Sequence, residues 1–464
     1  MHGYSKFQTL IKMMIKICAI ALSFLLATSS FAQKKPVPTT QQLEWQKLET
    51  TAFIHFTVNT YTGKEWGDGT ESPAIFNPTN FDAHKMVKVL KETGFKMAII
   101  TAKHHDGFCL WPTAYTEHSV KNSPWKDGKG DVVKEIVEAC KAQGIKFGFY
   151  LSPWDRNHPS YGTANYNTYY KNQLTELLTN YGEVSEVWFD GAKGENAKDM
   201  NYDFDSYWSL VRQLQPNAVM FSDVGPDVRW VGNEKGIAGE TMWSTIDVKP
   251  ENAPGKMDAN YLNVGDPNGK LWITAETDVS IRPGWFYHEE EDSKVRTPQN
   301  LVDLYYTSVG RNSLLLLNIP PNKKGEFAET DIKNLYEFRS ILNETFKSNL
   351  AKGNLPATLT DEKLSTFNTV GQGKTHYLAF KKAITFDRIA LQENIANGQN
   401  CEKGNVEYWD GKRWKVLVEF TTIGYKRLLK TKSVKTSKLR LNILKTKQPV
   451  QLAEFGVYKA SVRE

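Results

Sequence analysis

The chain has 464 residues, with 58 Lys and Arg against 52 Asp and Glu for a formal charge of +6. That length exceeds one typical core and points to two domains, while so weak a positive balance implies neither a nucleic acid nor any other polyanionic partner. Four cysteines in no recognisable spacing argue against a disulfide framework.

Residues 1–32 read as an export signal, because Lys6, Lys12 and Lys16 precede an apolar run over 17–27 and Ser30, Phe31 and Ala32 supply a small-x-small cleavage site. The expected location is therefore periplasmic or extracellular. Cleavage removes three lysines and no acids, taking the charge from +6 to +3, and removes Cys18, leaving Cys109, Cys140 and Cys401. No later stretch approaches about 18 uninterrupted apolar residues, so no membrane span is expected.

From 33 to 349 short apolar runs alternate with amphipathic stretches. Strands are predicted over 52–56, 97–102, 146–151, 185–189, 218–222, 271–275 and 313–319, with helices over 82–93, 131–143 and 166–181 between the early ones. That alternation is the signature of a parallel α/β fold. Residues 239–243 are the best candidate for an eighth strand, which would close a (β/α)8-like TIM barrel. An open doubly wound sheet is the competing architecture, but no Gly-rich phosphate loop follows the first strand. From 350 to 464 the short runs 378–380, 388–391, 406–409 and 438–443, broken by turn residues, predict an antiparallel β-sandwich. Its closing run, 453–458, resembles the last strand of discoidin-like, carbohydrate-binding sandwiches. Its few tryptophans favour a module that only buttresses the barrel.

The chain is organised around Trp188-Phe189-Asp190-Gly191, a strand that ends in a carboxylate followed by glycine. Such a position, where the loops of a parallel barrel converge, is where catalytic groups sit. The other strand ends carry similar chemistry: His55 after the first, His104 and His105 after the second, Tyr150 and Trp154 around the third, Asp223 after the fifth, and Glu276 to Asp278 at the sixth. A single His is usually a satisfied core residue. Three of them at strand ends, with Trp66, Trp154, Trp230 and Trp285 nearby, exceed what packing needs.

Two chemistries fit this set. Histidines and carboxylates at a barrel mouth can hold a divalent metal, but the first strand offers only His55, and adjacent residues such as His104 and His105 point to opposite sides of an extended segment. Sugar chemistry uses the same residues better, with polar side chains on hydroxyls, aromatic faces on the less polar ring face, and two carboxyls to break the glycosidic bond.

The segments Phe53-Ile54-His55-Phe56, Lys64-Glu65-Trp66, Lys103-His104-His105-Asp106-Gly107-Phe108 and Val187-Trp188-Phe189-Asp190-Gly191-Ala192 resemble the family 29 glycoside hydrolases, the α-L-fucosidases. The resemblance implies a barrel short of a helix or two and a retaining double displacement without a cofactor. The substrate it implies is a fucosylated oligosaccharide or glycoprotein glycan. It makes Asp190 the nucleophile and places His55, Glu65, Trp66, His104, His105 and Tyr150 on the fucose hydroxyls, with Trp154 in the aromatic rim and Trp285 and Phe286 against the methyl group. The stretch from Arg229 to Gly236 resembles the subgroup acting on α-1,3 or α-1,4-linked fucose of Lewis-type glycans, which makes Glu234 the acid/base, with Glu240, Glu276 and Glu195 as rivals. A retaining pair should have carboxyls roughly 5 to 5.5 Å apart, with the acid's pKa raised. A broad-specificity fucosidase with another acid/base, a metal-dependent hydrolase and a non-catalytic fucose-binding protein are the alternatives. The acidic run 289–292 and the basic run 426–435 read as solvated faces rather than as a cation or nucleic-acid site.

Overall fold

The computed structural model describes residues 35–249 and 252–464, so the segment read as an export signal lies outside the described residues. Eight strands, β1 (Thr50–Ile54), β2 (Met97–Lys103), β3 (Lys146–Leu151), β4 (Glu186–Trp188), β5 (Val219–Phe221), β6 (Val228–Trp230), β7 (Thr274–Ser280) and β8 (Leu314–Asn318), form a closed parallel barrel in sequence order, with β1 paired to β8. The (β/α)8-like reading of the fold class therefore holds.

Helix α1 (Thr40–Gln46) precedes the barrel, and α2 (Ala83–Glu92), α3 (Val132–Gln143), α4 (Asn165–Thr179) and α5 (Phe204–Leu214) follow the first four barrel strands. Asp82 and Asp131 start α2 and α3 by accepting from the Lys85 and Lys134 amides, and Gly144, in the left-handed region, ends α3. Later come α6 (Pro298–Thr307) and α7 (Glu329–Phe346), while only residues 222–227 join β5 to β6. Among the described residues no helix is long and apolar enough to cross a membrane.

Two expectations are corrected. The eighth strand is Val228–Trp230, overlapping the start of the stretch read as an acid/base loop, and not 239–243. Three residues carry no periodicity to read, whereas 239–243 faces the C-terminal domain, where the Met242 amide donates to Thr422 Oγ1. The run 271–275 is also split: Leu271–Trp272 pairs with Thr245–Ile246 outside the barrel, and β7 runs on to Ser280, which puts Asp278 within the strand.

The barrel interior is a stack of inward side chains, Phe53, Ile99, Tyr150, Trp188, Phe221, Val228 and Leu316 among them, plugged from below by Trp45 of α1. Two buried carboxyls stand in this stack: Trp45 Nε1 donates to Glu186 at 2.6 Å and Trp188 Nε1 to Glu276 at 2.8 Å. Burial raises the pKa of both, and the neighbouring Glu186 raises that of Glu276 further.

The C-terminal domain is a six-stranded antiparallel sheet built from β9 (Asn368–Val370), β10 (Thr375–Glu393), β11 (Cys401–Trp409), β12 (Trp414–Phe420), β13 (Arg427–Thr446) and β14 (Val450–Tyr458), in the order β9-β14-β10-β13-β11-β12. The runs 378–380 and 388–391 belong to one strand, β10, whose register breaks between Ala379 and Ile384, so a bulge imitates a turn in the sequence. Leu378, Leu391, Val406, Leu439, Leu441 and Phe455 fill its core.

Polar groups join the two domains. Asn312, buried and at φ +63°, accepts from the Tyr425 amide at 2.7 Å and donates to Ser244 Oγ at 3.1 Å. Lys426 pairs with Glu49, and Lys430 with Asp303 at 2.6 Å, so part of the basic run serves docking. The three described cysteines are free and buried.

Candidate active site

A cavity of about 550 Å³ opens at the carboxyl end of the barrel, with Trp188 as part of its floor. The strand alternation that turns Glu186 into the interior puts Trp188 above it, stacked on Phe221 at 3.9 Å, and Asp190 just beyond β4 lines the cavity. Tyr150 OH donates to Asp190 Oδ2 at 3.0 Å and the Ala192 amide to Oδ1 at 2.7 Å. Gly191 is required by a close approach: a Cβ there would lie 2.3 Å from the Gly255 nitrogen. That crossing segment is tied down by Asp223, whose Oδ2 accepts from the Gly255 amide at 2.6 Å. Burial pushes the Asp223 carboxyl up to about 7, and among the described residues its Oδ1 has no hydrogen-bond partner.

The motif from Lys103 to Phe108 divides its labour. Lys103 is fully buried and donates to Asp155 at 2.9 Å and Gln173 at 3.0 Å, while Asp106 accepts from Thr57 Oγ1 and the Phe108 amide. Gly107 stands at φ +81°, where a Cβ would meet Asp155 at 2.6 Å. These residues turn the chain sharply after β2. As a result His104 and His105 both line the cavity, their ring centroids 4.1 Å apart, and the expectation that they point to opposite sides is corrected: the strand ends at Lys103.

All three histidines are held neutral by burial, His55 near 3, His105 near 4 and His104 well below the usual value. Asn318 spends its amide donors on Ser280 Oγ and the Trp285 carbonyl, so its oxygen, 2.9 Å from His55 Nδ1, accepts a hydrogen bond from that N–H. Ser152 likewise donates to the Trp154 carbonyl and accepts from His105 Nδ1 at 2.7 Å. In both rings Nε2 is left as the acceptor. His105 Nε2 lies 3.7 Å from Asp190 Oδ2, and a hydroxyl can bridge the two. Among the described residues no three His, Cys, Asp or Glu side chains converge as metal ligands.

Glu234 lines the cavity with Asp190. Desolvation by the cavity wall raises its carboxyl above the ordinary value, and the charges of Asp190 and Glu65 add to this, while the Trp285 Nε1–H, 3.4 Å from Oε2, opposes it. The rivals lie elsewhere. Glu240 pairs with Arg311 and Arg427, Glu276 is buried beneath Trp188, and Glu195 lines a second cavity of about 660 Å³ next door.

The structure brings His55, Trp66, His104, His105, Tyr150, Asp190, Glu234 and Trp285 to one cavity, and leaves out three of the candidates. Glu65 stands behind the wall, accepting from the Trp285 amide at 2.7 Å and contacting His288 Nε2 at 2.8 Å. Trp154 backs His105 at 4.7 Å and lines the second cavity, sharing that wall with the exposed Trp66. Phe286 is buried behind His55 and His104. The acidic run 289–292 serves this wall too, through Asp292, which pairs with Arg282 at 2.8 Å. Sequence reasoning gave no role to Asp278 or Trp230, which line the cavity and are joined by an indole N–H bond of 2.8 Å. The even spacing of Glu276, Asp278 and Ser280 along an inward face was the available signal.

Neutral imidazole acceptors, aromatic walls and two carboxyls in different surroundings make a site suited to a polyhydroxylated ring, the build of a barrel glycoside hydrolase. The family model for alpha-L-fucosidase matches residues 29–345. The chain is 44% identical to alpha-L-fucosidase 1 of Arabidopsis thaliana, over 91% of this chain and 87% of that one. Among solved structures, a fucosidase of family GH29 from Ruminococcus gnavus in complex with fucose matches at TM-score 0.85 and 35% identity, covering 94% of this chain and 97% of its own. A GH29 member from a rumen bacterium matches at TM-score 0.85 and 43% identity, covering 92% and 78%. The chain belongs to the α-L-fucosidase family, glycoside hydrolase family 29, and is a retaining glycosidase.

Proposed function

We propose that this α-L-fucosidase releases L-fucose from α-1,3- or α-1,4-fucosylated, Lewis-type oligosaccharides, with Asp190 as nucleophile and Glu234 as general acid/base, and that it works after export. The observation that carries the reading is that Asp190 and Glu234 line the same cavity in different electrostatic settings, Asp190 holding a Tyr150 hydrogen bond and Glu234 raised by its surroundings.

In the first step an Asp190 oxygen attacks the anomeric carbon, the glycosidic C–O bond breaks, and the Glu234 proton passes to the departing oxygen. In the second, Glu234 takes a proton from water as that water attacks the same carbon and the bond to Asp190 breaks, which restores both carboxyls. The ring hydroxyls donate to Nε2 of His55 and His105, and Trp285 and Trp66 cover its less polar faces.

The test is fucose release from a Lewis-type trisaccharide and from a simple aryl α-L-fucoside, with Asp190→Gly and Glu234→Ala in parallel. Release from the trisaccharide alone is expected, abolished by Asp190→Gly and lowered roughly 10²- to 10⁴-fold by Glu234→Ala. Efficient cleavage of the aryl fucoside, or an active Glu234→Ala chain, overturns the linkage reading or the acid assignment respectively. Export is tested by sequencing the mature N-terminus, which should begin at Gln33.

A further inference from the structure

The outer face of the C-terminal sheet carries side chains that its fold does not use. Tyr377 on β10 is 65% exposed, and the register sets it opposite Arg440 of β13, which lies opposite Glu407 of β11. Side chains alternate across a strand, so these three share the outer face while the neighbouring Leu378, Leu439 and Val406 enter the core. Trp409 and Trp414, directly paired on β11 and β12, meet edge to face at 5.6 Å, with Tyr377 a further 6.2 Å from Trp414.

Between the rings runs an ordered polar network. The Arg440 guanidinium lies 4.5 Å over Trp414 and its Nε donates to Glu407. Asn442 donates to Glu407 Oε2 and to Asn405 Oδ1, each at 2.7 Å, and accepts from Thr375 Oγ1 at 2.6 Å. These bonds fix the side chains yet leave Glu407 Oε1 and Asn405 Nδ2, an acceptor and a donor, with no protein partner among the described residues.

We infer that this face is a carbohydrate-binding site, separate from the catalytic cavity, whose ligand is a neutral pyranose ring of a glycan. Such a ring offers a less polar face to Tyr377 or Trp414 and an edge of hydroxyls to Glu407, Asn405 and Arg440. The charge on the face selects this class. Arg440 is closed by Glu407, so the centre presents directional hydrogen bonds rather than net charge, and Lys438, over the Trp409 ring at 5.7 Å, is too little to hold a polyanion. An apolar partner or a second copy of the chain would bury the Arg440, Glu407 and Asn405 groups without pairing them, which costs free energy. Two sugar sites on one chain raise the local concentration of glycan at the catalytic cavity.

The experiment uses the full chain carrying Asp190→Gly, so that no ligand is consumed, against N-acetyllactosamine in solution and a surface array of neutral, unfucosylated glycans. Binding that weakens at least tenfold on Tyr377→Ala with Trp414→Ala supports the site, provided the same pair of changes leaves kcat/KM for a free fucosylated trisaccharide within twofold in the Asp190 chain. No binding of any neutral glycan, binding unaffected by the double change, or binding only of sialylated or sulfated glycans overturns it. So does a concentration-dependent dimer that the changes abolish. Tyr377→Ala alone, at an exposed position, serves if the double variant fails to fold, and it should still weaken binding severalfold.

Discussion

Glu234 owes its raised pKa to the residues around it, and one of them works in the opposite sense. The Trp285 N–H stabilises the charged carboxylate and so lowers the pKa, against desolvation and the charges of Asp190 and Glu65. A group with a raised pKa keeps its proton to higher pH, so the alkaline limb of kcat/KM should follow Glu234. Trp285→Phe removes the donor and is predicted to move that limb to higher pH, while loss of ring contact lowers kcat/KM roughly 3- to 10-fold. A pH–rate profile measures both, and a limb that stays in place or moves down would count against Glu234 as the acid. The neutral histidines are a second effect of surroundings on single residues. Asn318 and Ser152 set the tautomers of His55 and His105, which leaves Nε2 of each ring as a hydrogen-bond acceptor.

At the scale of elements, the cavity wall next to Asp190 is a loop crossing over the end of a strand. Pro254, Gly255 and Lys256 line the cavity, Gly191 leaves room for them to cross, and Asp223 anchors the Gly255 amide. Asp223→Ala is predicted to loosen this wall, lowering kcat/KM roughly 5- to 30-fold through the loss of about 1–2 kcal/mol of positioning, mainly as a higher KM. Steady-state kinetics on the trisaccharide check this, and a loss confined to kcat would instead place Asp223 in the chemistry. The turn after β2 is built on the same plan, with Lys103, Asp106 and Gly107 satisfied internally so that two adjacent histidines face one way.

At the scale of the molecule, buried acids stand in both domains. Burial pushes Asp106, Asp223 and Glu454 each up to about 7, and raises the Glu186 and Glu276 pair as well. In the unfolded chain these groups titrate near 4. The folded state therefore binds more protons over this interval, and stability falls as pH rises from about 4 through the folded values. The buried histidines act in the opposite direction but only below their unfolded value of about 6.5. Above pH 6.5 the histidines no longer offset the acids, and Tm is predicted to fall by a few degrees between pH 6.5 and 8.5. Glu276→Gln should flatten that decline. A thermal melt series in constant ionic strength decides it, and a flat or rising Tm in the parent chain would refute the assignment.

The sequence by itself determined the class of fold, the strand that leads to Asp190, and most of the cavity's residue types, because each rests on local pattern: a β-branched or aromatic run, a helix cap, a short motif with fixed spacing. It did not determine β6, since three residues have no period, nor the length of β10, since a bulge reads as a turn. Only the tertiary structure decided which candidates meet. Glu65 and Trp154 fell behind the wall while Asp278 and Trp230 came into it, and the histidines became neutral, because burial and orientation arise from contacts between strands far apart in the chain. The aromatic face on the C-terminal sheet was hidden for the same reason: Tyr377, Trp409 and Trp414 become neighbours only through antiparallel pairing across four strands.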